Sequence, residues 1–303
     1  MGRRKFGDPV DGWIILDKPL GETSTRALGR VRSALRARKG GHAGTLDPLA
    51  TGLLPIALGE ATKLVERVMG GDKTYTFTVR WGVETTTDDS EGEVVESRSE
   101  RPEGAEIEAA LGAFVGQIEQ VPPAFSAIKV AGERAYDLAR DGAPPDLPAR
   151  TVRVWSLELV DRPDRDQARF RLRCGKGAYV RALARDLGRT LGCLGHVTTL
   201  RRTAVGGFSE EDAISLDKLE AMGHIDAREK ALLPISTALD DIPALAVTGG
   251  EATRLKNGQT IRVPHDLEGT VLVTSRQQPV ALADIQSGEV RPLRVFNLQH
   301  QGD

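Results

Sequence analysis

The sequence predicts an α+β protein, with a mixed, largely antiparallel sheet flanked by helices and a small C-terminal β-rich domain. Three observations carry this. Tyr75 to Trp81 and Gln167 to Cys174 alternate apolar and polar residues with the period of a half-buried strand. Thr23 to Arg38 and Tyr179 to Leu191 place apolar residues at helical spacing. Beyond Pro243 the chain offers only short strand-like runs. At 303 residues it is long enough for about two domains of roughly 150 residues each, and the boundary is expected at 1–242 and 243–303.

The elements follow in order. Gly12 to Gly21 reads as a short buried strand ended by turn residues. Thr23 or Ser24 can cap the next helix, in which Leu28, Val31 and Leu35 share a face and the arginines lie mostly elsewhere; Gly40 and Gly41 are expected to stop it. Gly41 to Gly59 reads as loop, then helix, with unusual apolar content for a solvated loop. In the strand from Tyr75, the residues Tyr75, Phe77, Val79 and Trp81 face one way. The acidic stretch after Gly82 is expected to be an exposed hairpin or loop. A short helix is expected around Glu106 to Val115, extended chain from Val121 because of its prolines, a short helix from Ala135 to Arg140 and a break at Ala143 to Pro148. In the strand from Gln167, Arg169, Arg171 and Arg173 form a cationic face opposite Ala168, Phe170, Leu172 and Cys174. Gly175 and Gly177 bend the chain into the helix from Tyr179. Pro234 to Pro243 is the linker candidate; Thr270–Thr274, Val280–Asp284 and Val290–Phe296 are the strands beyond it. No internal repeat or low-complexity segment is evident.

Net charge is −2 and pI near 6.3, which by itself argues weakly against a nucleic-acid partner. The distribution argues the other way. Thr23 to Leu46 holds Arg26, Arg30, Arg32, Arg36, Arg38 and Lys39 with no acid, while Glu84 to Glu106 is strongly acidic. Cys174 and Cys193 form no CxxC pattern, so neither a disulfide framework nor a zinc set is expected. The basic start Gly2-Arg3-Arg4-Lys5 is followed only by the short apolar run Trp13 to Leu16, and no stretch reaches the roughly 18 apolar residues of a membrane span. A cytosolic, monomeric protein is expected.

Four features could carry chemistry. His42-Ala-Gly-Thr-Leu-Asp47-Pro-Leu-Ala-Thr-Gly-Leu-Leu-Pro55 sets a carboxylate in apolar, glycine-punctuated chain. Burying a lone carboxylate is costly, so Asp47 must be paired or exposed in a cleft; the competing reading is a helix cap, since Asp before Pro is a helix-start signal. His42 reads as a general base, a phosphate contact or a satisfied loop histidine. Cys174-Gly-Lys176-Gly-Ala-Tyr179-Val-Arg181 reads as a phosphate cradle or as a plain strand-to-helix turn; it lacks the spacing of a nucleotide fingerprint, so no cofactor is expected. Tyr75 reads as a core residue or as a base-stacking ring at a cleft edge. The basic helix reads as a solvated face or a phosphate-facing one.

Together these segments resemble the TruB family of tRNA pseudouridine synthases, through most of the chain and with motifs in the family's order. Gly12 to Pro19 is similar to the opening motif, and GHAGTLDPLATGLLP to the catalytic motif. Lys73-Thr-Tyr75, Pro122-Pro-Ala-Phe-Ser-Ala-Ile-Lys129, Lys176-Gly-Ala-Tyr179-Val-Arg181 and Gly195 to Arg202 resemble the remaining ones. The C-terminal part is the weakest match. The resemblance implies the pseudouridine synthase fold with a PUA-like RNA-binding module. It also implies isomerisation of the uridine conventionally numbered 55 in the tRNA T loop. By resemblance Asp47 is the catalytic aspartate, Arg181 pairs with it, and Tyr75 stacks on the base and takes part in proton transfer. Tyr179 and Leu200 line the pocket, with Lys176 among the substrate-binding residues. His42 holds the flipped-out arm, and Lys18 supports the site or contacts RNA. Ala178, where Ser or Thr is frequent, and Phe125, where Tyr is frequent, depart from the common pattern.

The chemistry agrees. Breaking N1–C1′, rotating the base and joining C5 to C1′ needs no redox step and no energy input. A carboxylate can attack C1′ or assist cleavage, a neighbouring arginine favours its ionised form, and the base must leave its stack. The basic helix and cationic strand face would hold phosphates. Two other readings stand beside this one. A non-catalytic RNA-binding or RNA-folding protein would have no need of Asp47 beside Arg181 and Tyr75. A glycoside hydrolase would need a second acid aimed at the same pocket, whereas the acids here cluster between Glu84 and Glu106.

Overall fold

The structure is a computed structural model that describes residues 7–126, 128–130, 133–140, 145–264 and 267–298. The basic start at 2–5, Ala127 and the pair Ala143-Pro144 lie outside these residues.

The apolar run at the start forms β1 (Gly12–Lys18), and Thr23 caps α1 (Ser24–Ala34), its hydroxyl accepting the Arg26 N–H at 3.2 Å. The helix ends before Gly40, because Arg36 takes a left-handed φ of 52° and turns the chain toward Asp8. Gly40–His42 then forms β2 and Ala50–Leu58 forms β3. The helix expected after the Asp47 loop is absent. Ala50, Leu54, Ile56 and Leu58 pack into one apolar cluster and Leu53 and Ala57 into another on the opposite face. A strand buried on both faces reads as continuous apolar chain, so periodicity could not separate it from a helix.

The chain continues through α2 (Val65–Gly70), β4 (Lys73–Trp81), the hairpin β5 (Val83–Thr85) and β6 (Val94–Ser97), α3 (Gly104–Leu111) and β7 (Gly116–Gln120). The small hairpin β8 (Lys129–Val130) and β9 (Glu133–Arg134) leads to α4 (Ala135–Arg140), β10 (Arg150–Asp164), β11 (Gln167–Cys174) and α5 (Val180–Thr190). Then come β12 (Gly195–Val205), β13 (Phe208–Ser209), β14 (Ala213–Ser215), α6 (Leu216–Ala221) and α7 (His224–Lys230).

The main sheet runs β14-β1-β3-β12-β4-β11-β10-β7, with β2 beside β3 and β13 beside β12. Only β1–β14 and β3–β12 are parallel, so the sheet is mixed and largely antiparallel, as expected. The alternation of β4 and β11 holds: Phe77 stacks on Phe170 at 5.3 Å on the buried face, where α1, α3 and α5 contribute Val31, Ile107 and Leu187 to the same cluster.

β15 (Ala244–Ala246), α8 (Gly249–Lys256), β16 (Ile261–Arg262), β17 (Gly269–Ser275), β18 (Gln278–Gln286) and β19 (Glu289–Val295) build a separate five-stranded sheet with its own core around Leu255, Val273 and Ile285. The segment from Pro234 to Pro243 is packed rather than an exposed linker. Ile235 and Leu239 join Trp13, Phe208, Leu272 and Phe296 in one buried cluster that spans both sheets.

Where β3 meets β1 and β12, Gly52 sits at φ 94°, and a Cβ there would lie 2.2 Å from the Arg202 carbonyl oxygen. Gly52→Ala is therefore expected to lower unfolding free energy by at least the roughly 1–3 kcal/mol of such backbone strain, read as the urea midpoint; an unchanged midpoint would refute this account of β3.

Candidate active site

Asp47 lies between β2 and β3. The Ser24 hydroxyl, at the head of α1, clasps the residue before it, accepting the Leu46 N–H at 2.8 Å and donating to the Leu46 carbonyl at 2.9 Å. The Asp47 carbonyl accepts the Ala50 N–H at 3.0 Å, closing a turn through Pro48-Leu49. No helix starts here, so the cap reading of Asp47 fails and its carboxylate is left to face a cleft.

Lys18 braces that turn from below. It has no exposed surface, and its ammonium donates to the carbonyls of Glu22 at 2.7 Å, Pro19 at 3.0 Å and Pro48 at 3.4 Å. Burial pulls its pKa down to about 8, with the charges of Asp47 and Glu22 opposing the shift. Of the two roles expected of Lys18, supporting the site or contacting RNA, its buried ammonium with three carbonyl acceptors fits the first.

Arg181 stands in the first turn of α5 and is 4% exposed. Its Nη2 lies 2.8 Å from Asp47 Oδ2 and donates to the Phe125 carbonyl at 3.0 Å. Its Nη1 donates to the Thr87 carbonyl at 2.8 Å, and its Nε lies 3.5 Å from Asp89 Oδ2. Asp89 in turn accepts from the Thr87 hydroxyl at 2.5 Å and the Glu91 N–H at 3.0 Å. One helical turn on, Arg185 Nη1 lies 2.9 Å from Asp88, whose carboxyl is pushed up to about 6 by burial against the pull of Arg185 and Arg181. The acidic stretch is thus not uniformly exposed. Asp88 and Asp89 turn inward, a role that a run of like charges gave no reason to assign to two of its members.

The cleft encloses about 730 Å³. Asp47, Tyr75, Lys176, Tyr179, Arg181 and Leu200 all line it, so six of the eight expected residues come together. Tyr75 on β4 pairs in register with Leu172 of β11 and Arg202 of β12. It is half-buried, and burial pushes its phenol up while Arg202 pulls the other way. Gln120 fixes Tyr179, accepting its N–H at 2.8 Å and donating to its carbonyl at 3.1 Å; burial raises the Tyr179 phenol as well. Phe125 binds Arg181 through its carbonyl while its ring meets Tyr136 edge-on at 6.0 Å, so Phe in place of Tyr leaves the arginine contact intact. His42 is the other exception beside Lys18. It pairs with Ile56 in the sheet and does not line the cleft, and burial, then the charge of Arg202, lowers its pKa.

Arg202 is a site residue that sequence reasoning left without a role. It is 1% exposed, lines the cleft, and donates to the carbonyls of Leu53 at 2.7 Å and Gly44 at 3.0 Å. Strand alternation was the available signal, since it puts Arg202 on the inward face with Leu200. Glu66, the other acid on the cleft wall, is solvent-exposed on α2. Asp89 is buried and occupied by its own donors, so neither acid is presented as the second carboxylate of a glycosidase.

The cationic surfaces also differ from expectation. Arg30 makes a bidentate pair with Glu220 at 2.7 and 2.5 Å and lies 3.5 Å from Glu22, while Arg169 and Arg173 pair with Asp161 and Asp72. The acids absent from each local run arrive from elsewhere in the chain.

A carboxylate held by a buried arginine thus faces a cleft across a large mixed sheet joined to a small β domain. A chain of the archaeal box H/ACA sRNP Nop10–Cbf5 complex superposes with TM-score 0.72 over 98% of this chain and 92% of its own at 23% identity, which supports the fold. Residues 32–180 match the model described as TruB family pseudouridylate synthase (N terminal domain), and 181–240 match the tRNA pseudouridylate synthase B C-terminal domain. The protein called tRNA pseudouridine synthase B in Caulobacter vibrioides is 54% identical over 98% of this chain and all of its own length. The one in Bradyrhizobium diazoefficiens is 55% identical over 95% of this chain and 86% of its own. The chain belongs to the TruB family of pseudouridine synthases, which are isomerases.

Ser24→Ala would leave the Leu46 N–H and carbonyl unpaired beside Asp47. The expected loss is about 1–3 kcal/mol of unfolding free energy, measured by denaturant titration; wild-type stability would show that the clasp does not hold the loop.

Proposed function

We propose that the chain isomerises uridine 55 in the T loop of tRNA to pseudouridine, with Asp47 as the catalytic carboxylate. The observation that carries this reading is the 2.8 Å pairing of Asp47 with the buried Arg181 in a cleft that Tyr75, Tyr179 and Leu200 also line. A pure RNA binder gains nothing from a fixed carboxylate facing a polyanion.

The target nucleotide leaves its stack and enters the cleft, where Tyr75 supplies a ring face and Tyr179 and Leu200 close around the base. Arg181 aims one Asp47 oxygen at C1′ while the guanidinium's remaining donors stay on Thr87 and Phe125. The carboxylate attacks C1′ or stabilises the charge that develops there as N1–C1′ breaks. The freed base rotates, C5 bonds to C1′, and the C5 proton leaves while N1 gains one. Tyr75, whose phenol pKa burial raises, takes part in that exchange from beside the base. Lys176, exposed on the rim, meets backbone phosphate. The small C-terminal sheet acts as a PUA-like RNA-binding module that follows the catalytic domain from about residue 243, and His42 braces the opened arm from the margin of the site. The protein acts as a monomer, with tRNA as its partner.

Tritium release from a tRNA transcript labelled at uridine C5 tests the assignment. Wild-type protein is expected to release tritium from position 55 while Asp47→Asn binds the tRNA and releases none. Release by both would show that another group is the catalyst, and binding without release by either would leave an RNA-binding protein.

A further inference from the structure

Trp13 and Trp81 are fully buried, but Trp155 is 46% exposed and joins none of the three apolar clusters. Its position serves no core, yet its orientation is fixed. The indole Nε1 donates to Asp72 Oδ1 at 2.9 Å, and the other Asp72 oxygen accepts from Arg173 at 2.9 Å. The Arg153 guanidinium lies 4.7 Å from the ring centroid. With the polar edge satisfied and Arg153 over the ring, what stays open on the half-exposed Trp155 is the aromatic surface that Arg153 leaves uncovered.

The ring also stands next to the cleft. The Gly175 N–H donates to the Arg153 carbonyl at 2.8 Å, and Gly175 and Lys176 line the cleft. Asp72 follows two residues after Gly70, another lining residue. Among the described residues, Arg153 and Lys176 have no carboxylate within ion-pair distance, unlike the arginines of β11. An aromatic ring paired with a guanidinium and flanked by free cations suits a nucleobase and its phosphate. A protein anchor would instead sit inside an apolar surround that excludes water.

We propose that Trp155, with Arg153, forms a stacking platform for a second nucleobase of the bound RNA, outside the cleft that takes the target uridine. The proposal rests on the reading that this cleft takes a tRNA uridine. The platform supplies affinity and register rather than chemistry, and Asp72 keeps the ring ready before RNA arrives.

Because Trp155 is the only exposed tryptophan of the three, the acrylamide-accessible emission of the intact protein reports on it alone. Adding a tRNA transcript is expected to shield that emission. Trp155→Ala is expected to raise Kd and KM for the transcript about tenfold, the scale of one base–aromatic stack, while Trp155→Phe, which keeps a ring but loses the bond to Asp72, stays within about threefold. The retained emission of Trp13 and Trp81 checks that each variant is folded. Unshielded Trp155 emission in the complex, wild-type affinity in Trp155→Ala, or an equal loss in Trp155→Phe would overturn the platform. Any of these alongside normal wild-type isomerisation removes only the platform, whereas a wild-type protein that neither binds nor isomerises tRNA removes the reading beneath it as well.

Discussion

The guanidinium of Arg181 is nearly sealed from water, and a buried charge without partners would cost several kcal/mol. The surrounding chain must therefore bring acceptors to it. Thr87 and Asp89 come from the loop between β5 and β6, Phe125 from the proline-rich segment after β7, and Asp47 from the turn before β3. One side chain on α5 thus ties together three segments that lie far apart in sequence. Asp47 is the only one of these partners that lines the cleft, so meeting the needs of the arginine also aims the carboxylate.

A second buried arginine works from the other side. Arg202 reaches across from β12 to the carbonyls of Leu53 and Gly44, fixing both ends of the loop that carries Asp47. Gly52 permits the close approach of β3 and β12 that this requires, and Ser24 and Lys18 hold the same loop from α1 and β1. Four elements, α1, β1, β12 and α5, converge on this one loop. That rigidity suits the proposed reaction, in which a nucleotide arrives against a carboxylate that is already in position.

Much of this was legible in the residues. The alternation of β4 and β11 placed Tyr75 and the arginines of β11 on the correct faces, and the periodicity of α5 placed Arg181 at a helix start. The family resemblance brought Asp47, Arg181, Tyr75, Tyr179 and Leu200 to one place, and geometry agrees. What stayed hidden has a common cause: it depends on contacts between distant segments. β3 is apolar on both faces, so its period is invisible. Asp88 and Asp89 look like their exposed neighbours until α5 presents two arginines to them. Lys18 has the composition of a surface residue, but the turns at Pro19 and Pro48 wrap carbonyls around it. Arg30 looks unpaired along the chain and is neutralised by Glu220, which is 190 residues away.

In the proposed reaction the geometry of the buried guanidinium, and not merely a positive charge nearby, sets Asp47 against its target. Arg181→Lys keeps the charge but cannot reach Asp47, Thr87 and Phe125 together. Single-turnover rates of pseudouridine formation, measured beside tRNA affinity, test this most directly. The rate is expected to fall by roughly a hundredfold or more, the cost of a misplaced reacting group, with tRNA binding retained. A variant that reacts near the wild-type rate would contradict it and show that charge alone suffices.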